Sequence, residues 1–172
     1  VPKPIEPKPN NAECERILDS YDVGVLVMCR EGEPYAVPMN HGYHDGKLYF
    51  HCATTGRKLD MIRANPRVTF VVSRETGGPS VAETSRMCHR DWESVIVYGS
   101  ARVIEDPEEL RRAFLTFGRH YDPNFEFSER ALENTRAIIV GIDSMTARQE
   151  VQGKPVEYWS WHAGDRTRKA ME

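Results

Sequence analysis

The Asp45-Gly46 dipeptide constrains this chain more than any other feature. It stands between two strand-like stretches, Tyr35–Tyr43 and Lys47–Ala53. Both of its residues tolerate positive φ, which a two-residue hairpin turn requires. Fixing the turn fixes the register: His44 faces Lys47, Tyr43 faces Leu48 and Gly42 faces Tyr49. Carried further, His41 meets Phe50, Asn40 meets His51 and Met39 meets Cys52. One face then collects Met39, His41, Tyr43, Leu48, Phe50 and Cys52, which reads as a core face with an inert Cys52. The other face makes Asn40 and His51 polar neighbours, and such a pair needs a ligand, a partner or water.

The remaining elements follow from local signals. Residues 1–10 hold Pro2, Pro4, Pro7 and Pro9 and read as an extended arm, either disordered or laid along a partner subunit; residues 11–172 read as one domain. Asn10 or Asn11 caps a short helix with Cys14, Ile17, Leu18 and Tyr21 at helical spacing. Val23–Cys29 reads as a buried strand, Gly56–Ala64 as a helix ending before Asn65-Pro66, and Arg67–Ser73 as a strand. Residues 74–93 read as a long polar loop, a feature that is often functional. Ser94–Ile104 is a strand with a bulge or bend at Gly99. Asp106-Pro107-Glu108-Glu109 opens a helix whose apolar face is Leu110, Ala113, Phe114 and Phe117. Ser128 caps a short helix, and Arg136–Ile142 and Met145–Val151 are two further strands. Six or seven hairpin-like strands without β-α-β alternation predict a mostly β fold, a small antiparallel barrel with peripheral helices.

Composition narrows the function. Lys plus Arg number 23 against 26 Asp plus Glu, a net charge of −3, which lacks the basic balance of a nucleic-acid binder. The longest apolar run, Val23–Cys29, is far short of a membrane span, and no apolar signal segment opens the chain. Cys14, Cys29, Cys52 and Cys88 are scattered and form no C-x-x-C pair, as expected of reduced thiols in a cytoplasmic protein. No G-x-S-x-G, P-loop, G-x-G-x-x-G or H-E-x-x-H motif is present. His41 and His44 fall on opposite faces of a strand, and Cys88-His89 is a weak ligand pair, so no metal site is expected.

One segment does carry chemistry. Thr54, Thr55, Gly56, Arg57 and Lys58 open the helix that follows the hairpin. Free N–H groups, hydroxyls and two cations at a helix start suit a phosphate. The alternative is a threonine cap followed by solvated cations, although cations oppose the helix dipole there.

Taken in order, Tyr35–Tyr43, Asp45–Ala53, Gly56–Asp60 and Asn65–Val68 resemble the flavin-binding split-barrel superfamily, the pyridoxamine 5′-phosphate oxidase-like fold. Within it the chain is most similar to nitroimidazole-resistance (Nim) proteins. Cys88, Trp92, Ser94-Val95 and Gly99-Ser100-Ala101 extend the resemblance, which covers roughly residues 11–151. It implies a homodimer of six-stranded antiparallel split β-barrels with FMN at the subunit interface. The phosphate would lie on Thr54, Thr55, Gly56, Arg57 and Lys58, with Ala53 in the same cofactor-binding set. Backbone groups of Val37, Pro38, Met39 and Asn40 would line the isoalloxazine, and Ser94 would face it. His51 matches a histidine implicated in Nim catalysis.

From the residues themselves, His51 is either a satisfied interfacial histidine or a proton donor beside the flavin. Trp159 and Trp161 share one strand face; they either cover the flavin ring or pack on the barrel. The resulting expectation is an FMN-dependent oxidoreductase passing electrons from a reduced donor to a small organic acceptor such as a nitroaromatic. The alternatives are a non-enzymatic flavin- or haem-binding barrel, with His41, His44, His89 or His162 as axial ligand, and a scaffold without cofactor. A pyridoxamine-phosphate oxidase would also need a second basic cluster, for which Arg166, Arg168 and Lys169 are candidates.

Overall fold

The structure, a computed structural model, describes residues 5–77 and 90–164. The chain opens with β1 (Lys8–Pro9), α1 (Asn11–Asp19), β2 (Val23–Arg30) and β3 (Glu33–Asn40). The Asn10 side chain accepts the Glu13 N–H and caps α1, which buries Cys14, Ile17 and Leu18. Next come β4 (Gly42–His44), β5 (Lys47–Cys52), α2 (Arg57–Ala64), β6 (Arg67–Gly77) and β7 (Asp91–Ile104). The second half holds α3 (Pro107–Tyr121), α4 (Glu129–Glu133), β8 (Arg136–Glu150) and β9 (Glu157–His162). Asp106 caps α3, taking the Glu109 N–H at 2.8 Å.

The sheet runs β1-β9-β8-β7-β6-β2-β3, antiparallel except for the β1–β9 pair. β7 follows one side of β8 over nearly its whole length. On its other side β8 forks: Arg136–Gly141 pair with β5 and Ser144–Gln149 pair with β9. At the fork the Ile142 N–H donates to the Gly46 carbonyl at 3.1 Å. β3 and β5 are not bonded to each other, so the barrel does not close, and this is a split barrel. Six strands (β2, β3, β5, β6, β7 and β8) make the barrel, while β1, β4 and β9 are additions to the expected six. Leu26, Met28, Phe50, Phe70, Val97, Ile138, Met145 and Trp161 fill its interior.

The turn at Asp45-Gly46 has positive φ at both residues, and the three nearest rungs follow the expected register. Beyond Gly42 the register departs from it. Asn40 stays with β2, opposite Val23, and the chain turns a corner at His41, whose N–H bonds the Asp22 carbonyl. The expected single strand Tyr35–Tyr43 is therefore two strands on two ladders, and Asn40 and His51 are not cross-strand neighbours. His41 is 0% exposed there, with Nε2 3.2 Å from the Leu18 carbonyl.

Three further expectations are corrected. The polar loop begins later and ends earlier, because Arg74 pairs with Glu93 and Glu75 with Trp92, extending the β6–β7 ladder. Residues 78–89 lie outside the described part, with Cys88 and His89 among them. The two C-terminal strands are one, since a bulge beside Tyr98-Gly99 absorbs Asp143 without ending β8. The arm is not wholly free either: Lys8 and Pro9 pair with Trp159 and Ser160. An edge strand tolerates Pro7 and Pro9, because a missing N–H costs little there. No helix among the described residues is long and apolar enough to cross a membrane.

Candidate functional site

A groove of about 490 Å³ lies where the barrel is split. Pro38, Met39 and Asn40, at the end of β3, form one wall. His51 and Cys52, ending β5, and Ala53 form the floor, and Lys58 of α2 stands at one end. Asn134 and Thr135, between α4 and β8, form the remaining wall. The split thus brings Asn40 and His51 to one cavity without pairing them.

The His51 ring stands edge-on to Phe117, with centroids 4.7 Å apart, and to Phe114 at 5.9 Å, both on α3. Burial against these rings lowers its pKa below the ordinary histidine value, so the imidazole is neutral at pH 7. A neutral ring offers one donor and one acceptor. Tyr121, four residues beyond Phe117, donates to the His41 carbonyl at 2.6 Å and pins the corner that follows Asn40. Close packing of Phe125 on α3 depends on Gly118, where a Cβ would lie 2.0 Å from the Phe125 ring.

Cys52 packs against the core, on the face its register suggested, and also borders the groove, half-buried, because its rung lies at the open end of the barrel. Burial pushes its thiol pKa up, while the charges of Lys58 and Arg136 pull it down.

The structure divides the expected phosphate segment. Gly56, at φ 136°, is the N-cap of α2, and neither threonine caps it. Thr54 and Thr55 lie beside the groove, in the bend that leads to α2, but do not line it. Arg57 points away from it, its guanidinium 4.5 Å above the Tyr35 ring. Val37 is half-buried and packs on the core.

Three expected residues lie at the other end of the barrel. His51 shares a rung with Ala137, and Ala137 with Ile104. Ser94 is ten residues back along β7, roughly 33 Å of strand. Trp159 pairs with Ala147, which pairs with Val95. Trp161 is 1% exposed within the core, its indole N–H donating to Glu15 at 2.8 Å. Of the two readings for the tryptophans, packing on the barrel describes both within this chain. His41 is sealed in the interior and cannot reach a ligand in the groove. Arg166, Arg168 and Lys169 lie outside the described residues. Asn134 and Thr135 were not foreseen; the one signal for them was a polar pair between a short helix and a buried strand.

Residues 10–149 match the family model described as pyridoxamine 5′-phosphate oxidase. An uncharacterized protein of Rhizobium meliloti (strain 1021), RA0666, is 31% identical over 87 residues, 51% of this chain. The match spans about half the length of that curated relative, 50%. A solved candidate 5-nitroimidazole antibiotic resistance protein from Bacteroides thetaiotaomicron VPI-5482 is 32% identical, with a TM-score of 0.67. That similarity covers 80% of this chain and 82% of the other. An FAD-binding protein from Mesorhizobium loti is 25% identical, with a TM-score of 0.62, covering 83% of this chain and 96% of its own.

Proposed function

The chain belongs to the pyridoxamine 5′-phosphate oxidase family, and from that premise we propose that it is an FMN-binding oxidoreductase. It passes electrons from a reduced donor to a small organic acceptor, in the manner of a nitroimidazole reductase. The observation that carries this reading is the groove in the split of the barrel, which joins a strand edge, a cation and a neutral histidine. β3 is the last strand on its path, so its outer backbone groups at Pro38–Asn40 are left for a planar ligand. Lys58 offsets the charge of a phosphate, and Asn134 supplies an amide to the opposite wall. When bound, flavin supplies the two-electron chemistry. His51, held by Phe114 and Phe117, donates or accepts a proton beside the acceptor.

A second copy of the chain belongs to the same proposal. Pro38, Val25, Val71 and Ile96 are successive cross-strand partners over four strands, on the sheet's outer face. Val23 and Tyr98, 53% and 45% exposed, flank that row. Pro38 belongs both to the row and to the groove, so a partner seated on the row borders the cofactor. Such a pairing lets the far end of one protomer, with Ser94 and Trp159, complete the groove of the other. The free thiols of Cys14, Cys29 and Cys52 suit a cytoplasmic setting.

The test is the visible spectrum of the purified protein, with the extracted cofactor identified by mass and the oligomer sized by sedimentation. A two-banded flavin spectrum, the mass of FMN and a dimer support the reading. A colourless protein that leaves added FMN fluorescence unquenched overturns it, and a single Soret band replaces flavin by haem. With flavin in place, His51→Ala is expected to slow nitroaromatic reduction by about 100-fold, within the range for a lost acid–base group.

A further inference from the structure

The imidazole of His51 is held by rings and not by polar groups. Among the described residues no hydrogen bond or ion pair orients it; Phe117 and Phe114 stand edge-on to it, at interplanar angles of 79° and 77°. A reacting side chain is placed well only where the side chains that support it are themselves locked by packing. The backing for Phe114 and Phe117 comes from residues 122–128, which join α3 to α4.

That segment lies along α3 as a strap. Its burial alternates: Phe125 and Phe127 are half-buried, whereas Asn124, Glu126 and Ser128 are exposed. Phe127 meets Phe114 edge-on, with centroids 5.0 Å apart, and Phe125 lies 5.9 Å from the same ring. Phe125 also fills the notch at Gly118, next to Phe117, which a residue with a Cβ would close. Both ends of the strap are fixed. At its start the Asp122 N–H bonds the Gly118 carbonyl at 3.0 Å, and Asp122 accepts the Asn124 and Phe125 N–H groups, each at 2.9 Å. At its end Arg111 of α3 reaches over Phe127 and forks onto Glu129, both bonds 2.6 Å long.

Other groups surround His51 without setting its state. Lys58 of α2 lines the same groove, Cys52 follows on β5, and β8 offers Ala137 on the His51 rung and Arg136 on the next. Burial is nonetheless the one cause that lowers the His51 pKa. Its aromatic cover comes from α3, whose Phe114 and Phe117 do not line the groove.

We propose that Phe125 and Phe127 are positioning residues for His51: the strap presses Phe114 and Phe117 onto the imidazole and so fixes how it addresses the groove. This rests on the proton role given to His51 above and assigns that role its support. The alternative, that the two phenylalanines merely cover the helix, predicts lost stability with no change at His51.

The experiment follows the His51 ring by NMR titration in full-length protein, its signal assigned against His51→Gln. In Phe127→Ala the midpoint rises toward the ordinary histidine value of about 6.5. It rises also in Gly118→Ala, which keeps every ring but unseats Phe125. Phe127→Leu restores apolar cover and holds the midpoint near that of wild type. In the FMN-loaded protein Phe127→Ala lowers kcat for nitroaromatic reduction about tenfold, with KM for the acceptor within about twofold, as a loss of orientation requires. On a His51→Ala background the same substitution costs nothing further. A midpoint unmoved or lowered in Phe127→Ala and Gly118→Ala, or a rate loss that persists in full without His51, overturns the role of the strap. Protein that takes up no flavin overturns the reading of the function alone, because the titration of His51 decides the strap without it.

Discussion

The two ends of the barrel treat polar groups in opposite ways. At the end carrying Trp161, Glu93 is a carboxylate only 5% exposed, and every direction around it is filled. The Tyr21 hydroxyl donates to it at 2.6 Å, Gln149 donates at 3.1 Å, and Arg16 stands 3.7 Å away. Desolvation, with the Glu93 bond added, pushes the Tyr21 hydroxyl up to about 12. At the split end, Lys58, Asn134 and His51 face an open groove with no such closure. A buried polar group left unpaired is costly, so the packed end must satisfy Glu93 internally, whereas the polar groups of the open groove are left to solvent and to the ligand proposed above.

That contrast is sharpest under substitution. Trp161→Ala at the packed end is expected to cost about 3–5 kcal/mol through the cavity left behind, with the Glu15 bond lost as well. Urea unfolding measures it, and a loss below about 1 kcal/mol would show that the far end is not the tight one.

The corner beside the groove supplies the next test. Burial brings the His41 pKa down to about 4, His120 lowers it slightly further, and the Leu18 carbonyl and Asp22 oppose the shift. The folded pKa lies below the unfolded value of 6.5, so this stability is complete above pH 6.5. It is lost as pH falls toward 4, to the extent of about 3 kcal/mol. Urea midpoints compared between wild type and His41→Gln across pH 7 to 4 isolate it; parallel curves would refute it.

The smallest effect on stability belongs to the open end. His51→Ala removes an exposed ring with two edge-on contacts and is expected to cost about 0.5–1 kcal/mol. A loss as large as that of Trp161→Ala would make His51 a structural residue and erase the contrast.

Elements governed by local chemistry were legible in the sequence. Asp45-Gly46, the Asn10 and Asp106 caps and the apolar stripe of α3 each have a cause within a few residues, and all stand where expected. The departures arise from long-range partners. The corner at His41 depends on Asp22 and Tyr121, which no alternation pattern encodes. β8 passes through Asp143 because that side chain reaches Arg67 at 2.5 Å on the outside of the sheet. Arg57 reads as a phosphate ligand by position, yet Tyr35, more than twenty residues earlier, takes its guanidinium. Of the candidate site, Asn40 and His51 were singled out by the hairpin, Lys58 by the cations that open α2, and Pro38 and Met39 by the family resemblance alone; Asn134 and Thr135 came from a segment more than eighty residues beyond the hairpin.

The fork in β8 has a consequence for how the molecule moves. One strand feeds two neighbours, β5 through Arg136–Gly141 and β9 through Ser144–Gln149, and β5 and β9 share no rung. Opening one does not require opening the other. Backbone amides in the β5 rungs and in the β9 rungs therefore exchange with solvent as two separate populations, each with its own opening free energy, while the β7 side of β8 stays protected through both. The groove can breathe at its floor and leave the far end of the barrel shut.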